Sequence, residues 1–271
     1  MAGGTRLLVT LEGYAVEGGF DRVGEPMTCY SPTIALGRLA GPGNADDLWR
    51  DYEAVLDFVP GLGFDGVRLT LEWARIEPRP GVVDEKVLLR YGDVIRYARG
   101  LGLDVTVVIV DAVWPSWLGL EAWTLPWTVP YVLGHARRLV DVFGSDATGF
   151  LAFAQAKDLV TRGFLTGKAP PWRESALNDA AFAYAQIERL YATLRQDVVV
   201  GPRLVASSAV TTLEVAAEDL LEARRSLDVD EIYVRSLLRG SGPTSVGQGL
   251  LVQHGSAWRV NAREELLDAF R

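Results

Sequence analysis

The chain has 271 residues, a formal net charge of −8, one cysteine and two histidines. This length fits one large domain with a sizeable apolar core, and we predict a single domain over residues 1–271. An acidic balance without a basic block argues against nucleic acid as a partner, because phosphate binding needs clustered lysine and arginine.

The few cysteines and histidines also limit the possible chemistry. One cysteine excludes an internal disulfide, and two histidines far apart in sequence give no support to a histidine-based metal site. We therefore expect no metal and no cofactor. No apolar run reaches membrane-spanning length, and the first residues carry no charged-then-apolar signal segment. A cytoplasmic protein without membrane contact is the resulting expectation.

Strand-like apolar runs alternate with longer helical patterns, which predicts repeated βα units around a parallel sheet. The predicted strands cover residues 6–11, 66–71, 103–110, 150–153 and 203–208. Helices are predicted from a cap at residues 44–47 and over residues 84–99, 129–143 and 175–194.

The rhythm weakens after residue 208. The remaining predicted elements are helices at residues 212–226, 232–238 and 262–270 and a doubtful strand at 249–252. These elements do not reach the eight strands of a complete (β/α) barrel.

Three segments carry a resemblance to a known family. Residues 14–19 read Tyr-Ala-Val-Glu-Gly-Gly, residues 66–78 read Gly-Val-Arg-Leu-Thr-Leu-Glu-Trp-Ala-Arg-Ile-Glu-Pro, and residues 162–171 read Arg-Gly-Phe-Leu-Thr-Gly-Lys-Ala-Pro-Pro. In order and spacing they resemble the first strand, the second strand and the loop after strand four of family 1 glycoside hydrolases. The resemblance runs to about Trp172. It implies an α/β fold of the TIM-type (β/α) barrel class, shortened in its C-terminal half.

The resemblance fails at the positions where that family carries its chemistry. Ala15 stands in place of a sugar-binding glutamine, and Asp111 stands in place of the histidine of a His-Trp pair. Ala154-Gln155-Ala156 replaces Asn-Glu-Pro, and the chain has no Glu-Asn-Gly tripeptide for the nucleophile. Retaining glycosidases need two carboxyl groups about 5 Å apart. The resemblance therefore implies a degenerate barrel in which glycoside hydrolysis is not expected.

Side chains alternate along a barrel strand between the interior and the helix layer. If Arg68 faces the interior, Glu72 does too, and the same reasoning on strand three points Val107, Ile109 and Asp111 inward. The predicted site at the C-terminal rim consists of Glu12, Arg68, Glu72, Asp111, Trp114 and Gln155.

In the functional interpretation, Asp111 or Glu72 is a general base and Arg68 binds an anionic group of the substrate. In the alternative, Arg68 is neutralised by Glu72 or Asp111 inside a sealed core. Trp114 belongs to a group of tryptophans after strand three, which either line the pocket or pack the loop.

Three functions remain open. The first is an enzyme of bacterial biosynthesis that acts on a small anionic metabolite by carboxylate-assisted elimination or cyclisation, a lyase or cyclase. The second is a non-catalytic subunit of a heteromeric biosynthetic enzyme, whose partner covers an open side of the barrel. The third is a sugar-binding pseudoglycosidase. An open rim that contains Asp111 and Arg68 is expected of the enzyme, and a closed rim of the subunit.

Overall fold

The structure, a computed structural model, describes residues 6–154 and 156–205. Within these ranges, four parallel strands form one sheet in sequential order: β1 (Leu8–Leu11), β2 (Gly66–Thr70), β3 (Asp104–Val110) and β4 (Gly149–Phe153). Parallel neighbours require a crossover connection, which helices supply in (β/α) folds. The arrangement is that of consecutive βα units of a (β/α) barrel, as the sequence pattern predicts.

A single β-bridge lies beside β4, where the fifth strand is predicted. Leu204 forms a parallel bridge with Phe150, and the backbone N–H of Val205 donates to the carbonyl of Phe150 at 2.8 Å. Residues 206–208 of the strand predicted at 203–208 lie outside the described residues, so this strand stays a prediction. The elements predicted at 212–226, 232–238, 249–252 and 262–270 also lie outside them.

Helices connect the strands. They are α1 (Gly13–Val16), α2 (Ser31–Ala35), α3 (Tyr52–Gly61), α4 (Trp73–Ile76), α5 (Glu85–Gly100), α6 (Thr128–Phe143), α7 (Ala156–Val160) and α8 (Leu177–Gln196). The predicted start of α5 is confirmed, because the Asp84 side chain accepts hydrogen bonds from the N–H groups of Lys86 and Val87. In the described part of the chain, no helix combines the length and the apolar character needed to cross a bilayer.

The predicted cap at residues 44–47 is wrong. Helix α3 begins at Tyr52, and its cap is Asp51, whose carboxylate accepts from the N–H of Ala54 at 3.4 Å. Ala45 and Asp47 have φ angles of 49° and 57°, in the left-handed region, which a right-handed helix cannot use. Leu48 is buried outside any helix, so its apolar spacing reflects packing of a turn.

The central strand β3 is buried in the core, and this burial supports the residues at the carboxyl end of the sheet. On β3, Val105, Val107, Val108 and Ile109 are all almost completely buried, as predicted for a strand covered on both faces. Complete burial of each such side chain contributes about 1.5–3 kcal/mol. The residues that follow β2 and β3 therefore extend from well-packed strands.

Contacts group the described residues into two compact units. One contains the four strands, and the other contains residues 121–129 and 156–193. Within the second unit, Arg173 forms an ion pair with Glu121 at 2.7 Å. A single domain over residues 1–271 stays a prediction.

Candidate functional site

Asp111 follows directly after β3 and is held by two hydrogen bonds. Its Oδ1 accepts from the backbone N–H of Ala112 at 2.7 Å, and its Oδ2 accepts from the hydroxyl of Thr70, the last residue of β2, at 3.1 Å. The side chain is 5% exposed. The carboxyl ends of two adjacent strands thus fix both oxygens of this carboxylate.

The strand register corrects one part of the predicted geometry. Arg68 pairs with Thr106, and Thr70 pairs with Val108, so Thr106 and Val108 share the face of Arg68 because paired residues in a sheet point the same way. The prediction that Val107 and Ile109 share this face is wrong by one residue. Asp111 nevertheless reaches Thr70, because the chain leaves the strand after Val110.

Glu72 lies between β2 and α4 and is 2% exposed. Its Oε1 accepts from the backbone N–H of Tyr14 at 2.7 Å, and its own N–H donates to the hydroxyl oxygen of Tyr91 at 3.0 Å. Burial, followed by the nearby charges of Glu17 and Asp111, raises the pKa of Glu72 well above its usual range. This is the kind of perturbed carboxyl that proton-transfer sites use.

A buried ion pair lies next to Glu72. The Arg75 Nε donates to Glu17 Oε2 at 2.9 Å, and its terminal nitrogen donates to the carbonyl of Gly18 at 2.7 Å. The Arg75 guanidinium is sandwiched between the rings of Phe20 and Trp49, at 4.2 and 4.1 Å from their centroids. The Tyr91 hydroxyl donates to the other Glu17 oxygen at 2.8 Å. Arg75 is therefore engaged on its edge and on both faces.

Arg68 is half-buried in the middle of β2. Its register partners are Thr10 on β1 and Thr106 on β3, so a guanidinium and two hydroxyls form a polar row on one face of the sheet. No ion pair joins Arg68 to another residue in the described ranges. In the described part of the chain, Arg68 is therefore not neutralised by an ion pair with Glu72 or Asp111, as the alternative interpretation expected.

The other predicted rim residues differ in how the structure places them. Glu12 is half-buried at the junction of β1 and α1, where its carbonyl accepts from the N–H groups of Ala15 and Val16. Gln155 lies outside the described residues. Its predicted role in substrate binding therefore stays a prediction.

Trp114 lies inside the loop after β3. It is 1% exposed, and its indole N–H donates to the carbonyl of Gly119 at 2.8 Å. Its own carbonyl accepts from the N–H of Cys29 at 2.9 Å. Trp117 behaves similarly and donates its indole N–H to the carbonyl of Glu77 at 2.8 Å. These bonds support loop packing for both tryptophans, and substrate contact by Trp114 stays a prediction.

Sequence reasoning did not select Glu17, Arg75 or Tyr91 as site residues. The first two sit inside the motifs that carry the family resemblance, and a charged residue between apolar neighbours is a signal of a buried pair. Tyr91 falls on the apolar stripe of α5, where Val87, Leu88, Val94 and Ile95 are buried. Its hydroxyl has no sequence signal.

Within residues 6–154 and 156–205, no group of three or more histidine, cysteine, aspartate or glutamate side chains is arranged to hold a metal ion.

Comparison with known proteins identifies the fold. No model of a known protein family matches the chain. A curated relative, 6-phospho-beta-galactosidase of Clostridium acetobutylicum, is 24% identical over 174 residues, which cover 61% of this chain and 36% of that protein.

Solved structures of glycosidases superpose on the chain. The beta-glycosidase from Pyrococcus horikoshii superposes with a TM-score of 0.65 at 16% sequence identity, and the superposition covers 73% of this chain and 45% of the glycosidase chain. Aphid myrosinase superposes with a TM-score of 0.68 at 16% sequence identity, and the superposition covers 85% of this chain and 54% of the myrosinase chain. The fold is a TIM-type (β/α) barrel of the glycosidase kind. The chain spans about half the length of these solved structures and 36% of the length of the curated relative.

Proposed function

We propose that this chain is a glycosidase-like barrel that does not cleave glycosides. It acts on a small anionic metabolite of bacterial biosynthesis by carboxylate-assisted proton removal, followed by elimination or cyclisation. The observation that carries the proposal is the position of Asp111 and Glu72, two buried carboxyl groups at the carboxyl ends of neighbouring strands. This end of a (β/α) barrel is where catalytic residues lie.

The sequence supports the loss of glycosidase activity. The position of the acid/base glutamate in the resembling family carries Gln155, which does not titrate, and the nucleophile motif Glu-Asn-Gly is missing from the chain. Hydrolysis with retention needs both carboxyl groups. Aryl glycosides with an activated leaving group should therefore not be cleaved.

Arg68 supports an anionic substrate. Its guanidinium has no carboxylate partner in the described ranges, and the hydroxyl-bearing Thr10 and Thr106 flank it on the same face. Arginine binds phosphate and carboxylate groups through paired hydrogen bonds. The curated relative is named for a phosphorylated sugar, which agrees with recognition of an anionic group.

Asp111 is suited to act as the base. The donors on its two oxygens, the Thr70 hydroxyl and the Ala112 N–H, orient the carboxylate before substrate binds. It takes a proton from carbon, and the electron pair of that C–H bond then forms a double bond as a leaving group departs. In a cyclisation, the same electron pair instead forms a C–C bond to a carbonyl carbon of the substrate, whose C=O π bond breaks to leave an oxyanion that takes up a proton.

The proposal predicts exchange of a carbon-bound hydrogen with solvent. Small phosphorylated and carboxylated carbonyl compounds, incubated with the protein in D2O, should gain deuterium that mass spectrometry detects. Asp111→Asn should slow the exchange by about 10²–10⁴-fold and leave the folded state intact. Asp93→Asn, on the exposed surface of α5, is the matched control and should exchange like the wild type.

Two outcomes contradict the proposal. Exchange in Asp111→Asn at the wild-type rate would exclude Asp111 as the base. Cleavage of an activated aryl glycoside by the wild-type protein would show that the glycosidase activity is retained.

A second function is favoured by the low exposure of the rim carboxyls. Glu72 is 2% and Asp111 is 5% exposed, as expected of a closed rim in a non-catalytic subunit. Size-exclusion chromatography with light scattering tests it, because a well-behaved monomer argues against an obligatory partner. The third function, sugar binding without catalysis, has less support, since Ala15 and Asp111 replace residues that bind sugar hydroxyls in the resembling family.

A further inference from the structure

We infer that Glu72 is held as a neutral carboxylic acid at neutral pH and is the proton donor that complements Asp111. The donor role rests on the proposed function, whereas the protonation of Glu72 does not. Four observations on the residues around it lead to this assignment.

The first observation is a count of buried charges. Glu17, Glu72 and Asp111 are three carboxyl groups that are each at most 5% exposed, and Arg75 is the buried cation beside them. Arg75 uses Nε for Glu17 and a terminal nitrogen for Gly18. Phe20 and Trp49 cover its two faces. Three buried negative charges against one positive charge are costly, and a bound proton removes part of that cost.

The second observation is the number of donors on each carboxyl group. Glu17 accepts from Arg75 and Tyr91, and Asp111 accepts from Thr70 and Ala112. Within the described residues, Glu72 accepts one hydrogen bond, from the N–H of Tyr14. Because donated hydrogen bonds stabilise a charged carboxylate, the group with the fewest is the first to hold a proton.

The third observation concerns Tyr91. Its hydroxyl hydrogen goes to Glu17, and its oxygen accepts from the backbone N–H of Glu72. It therefore has no hydrogen left to stabilise a charged Glu72. Burial, together with the charge of Glu17, raises the pKa of Tyr91 well above its usual range, so that the hydroxyl stays a donor to Glu17.

The fourth observation is the electrostatic surroundings from every neighbouring element. The groups whose charges act with Glu72 are Glu17 and Tyr14 near α1, Cys29 before α2, Arg75 on α4, Tyr91 on α5 and Asp111 after β3. Burial raises the pKa of Tyr14 and of the Cys29 thiol above their usual ranges. Both are neutral, so neither supplies a positive charge.

A protonated Glu72 completes the proposed elimination. As Asp111 takes the proton from carbon and the C–O bond of the leaving group breaks, the leaving oxygen receives the proton of Glu72. The products are an alkene and an alcohol or water, and no oxidant or reductant is needed. Transfer of the proton from Asp111 back to Glu72 restores the starting state.

Counting protons on unfolding tests the protonation without any substrate. The usual pKa of glutamate is about 4.3, so at pH 7 the proton on Glu72 should be released when the chain unfolds. In weakly buffered denaturant, the wild type should release about one proton more per chain than Glu72→Gln. Glu53→Gln, an exposed glutamate on α3, is the control and should release as many as the wild type.

The same proton sets a pH dependence of stability. The folded state binds the extra proton, so the free energy of unfolding should fall as the pH rises above about 4.3. This fall should end at the pH at which Glu72 ionises in the folded state. Glu72→Gln should lose this part of the slope. Burial raises the pKa of Glu188 to about 7, and its contribution is the same in both proteins and cancels in the difference.

Equal proton release from the wild type and Glu72→Gln would overturn the inference. If Glu72→Gln does not fold, infrared spectroscopy replaces the proton count. The spectra are recorded on Glu188→Gln, because Glu188 has a pKa of about 7 and would otherwise contribute its own carboxylic-acid band. Burial also raises the pKa of Glu17, so the band has to be assigned with Glu17→Gln. A carboxylic-acid C=O band at pH 7 that shifts with ¹³C-glutamate and remains in Glu17→Gln supports the inference, and the absence of such a band overturns it. A lack of deuterium exchange in every substrate tested would instead count against the proposed function and leave the proton count unaffected.

Discussion

Two buried carboxyl groups of the strand-containing unit, Asp21 and Glu72, have very different surroundings. Asp21 accepts from the Tyr14 hydroxyl at 2.7 Å, from the N–H and hydroxyl of Thr28 at 2.8 and 2.9 Å, and from the Ser31 hydroxyl at 2.5 Å. Glu72 accepts from the backbone N–H of the same Tyr14. Burial alone therefore does not distinguish these two carboxyl groups, whereas the number of hydrogen-bond donors around each of them does.

The largest loss of stability is expected when the cation that pairs with Glu17 is removed. Arg75→Met should lower the free energy of unfolding by about 3–5 kcal/mol, because it leaves the charge of Glu17 buried without its partner. Denaturant unfolding at neutral pH measures the effect.

The double variant Glu17→Gln with Arg75→Met is the control for the arginine substitution. It removes both charges, so it should recover a large part of the lost stability. If the double variant were as unstable as Arg75→Met, the loss would come from packing of Arg75 between Phe20 and Trp49 rather than from an unpaired Glu17.

A smaller effect is expected at Asp21. Asp21→Asn should cost about 2 kcal/mol, because an amide nitrogen cannot accept the hydrogen bonds that the second carboxylate oxygen receives. Asparagine tolerates the left-handed φ of 59° at this position, so backbone strain does not confuse the result. Asp46→Asn, at an exposed position of a nearby turn, should unfold like the wild type in the same denaturant titration.

The smallest effect is expected at Trp114. Trp114→Phe removes the hydrogen bond to Gly119 and should cost about 1 kcal/mol. If Trp114 packs the loop, deuterium exchange into substrate should continue at the wild-type rate. A slower exchange with unchanged stability would assign Trp114 to the substrate pocket.

The sheet and the longer helices were predictable because their residues repeat with clear periods. The buried valines of β3 and the Asp84 cap of α5 are local signals. The false start at residues 44–47 shows the limit of such signals, since the left-handed φ angles of Ala45 and Asp47 arise from the turn and not from residue type.

The candidate site was predictable only in part. Asp111 and Glu72 follow from their positions just after strand ends, and Arg68 follows from its place in the second-strand segment that carries the family resemblance. The partners Thr70, Tyr91 and Tyr14 were not selected, because each acts across a separation of 19–58 residues in sequence. The Glu17–Arg75 pair also joins residues 58 apart, and sequence spacing carries no record of such contacts.

His135, on α6, stacks on Trp73 with ring centroids 4.9 Å apart, and burial and the charge of Arg138 lower its pKa to about 3. Histidine is the usual carrier of protons in enzymes that work near pH 7. The imidazole of His135 stays neutral throughout that range. A rate profile of the protein measured between pH 5 and 8 should therefore contain no inflection from His135.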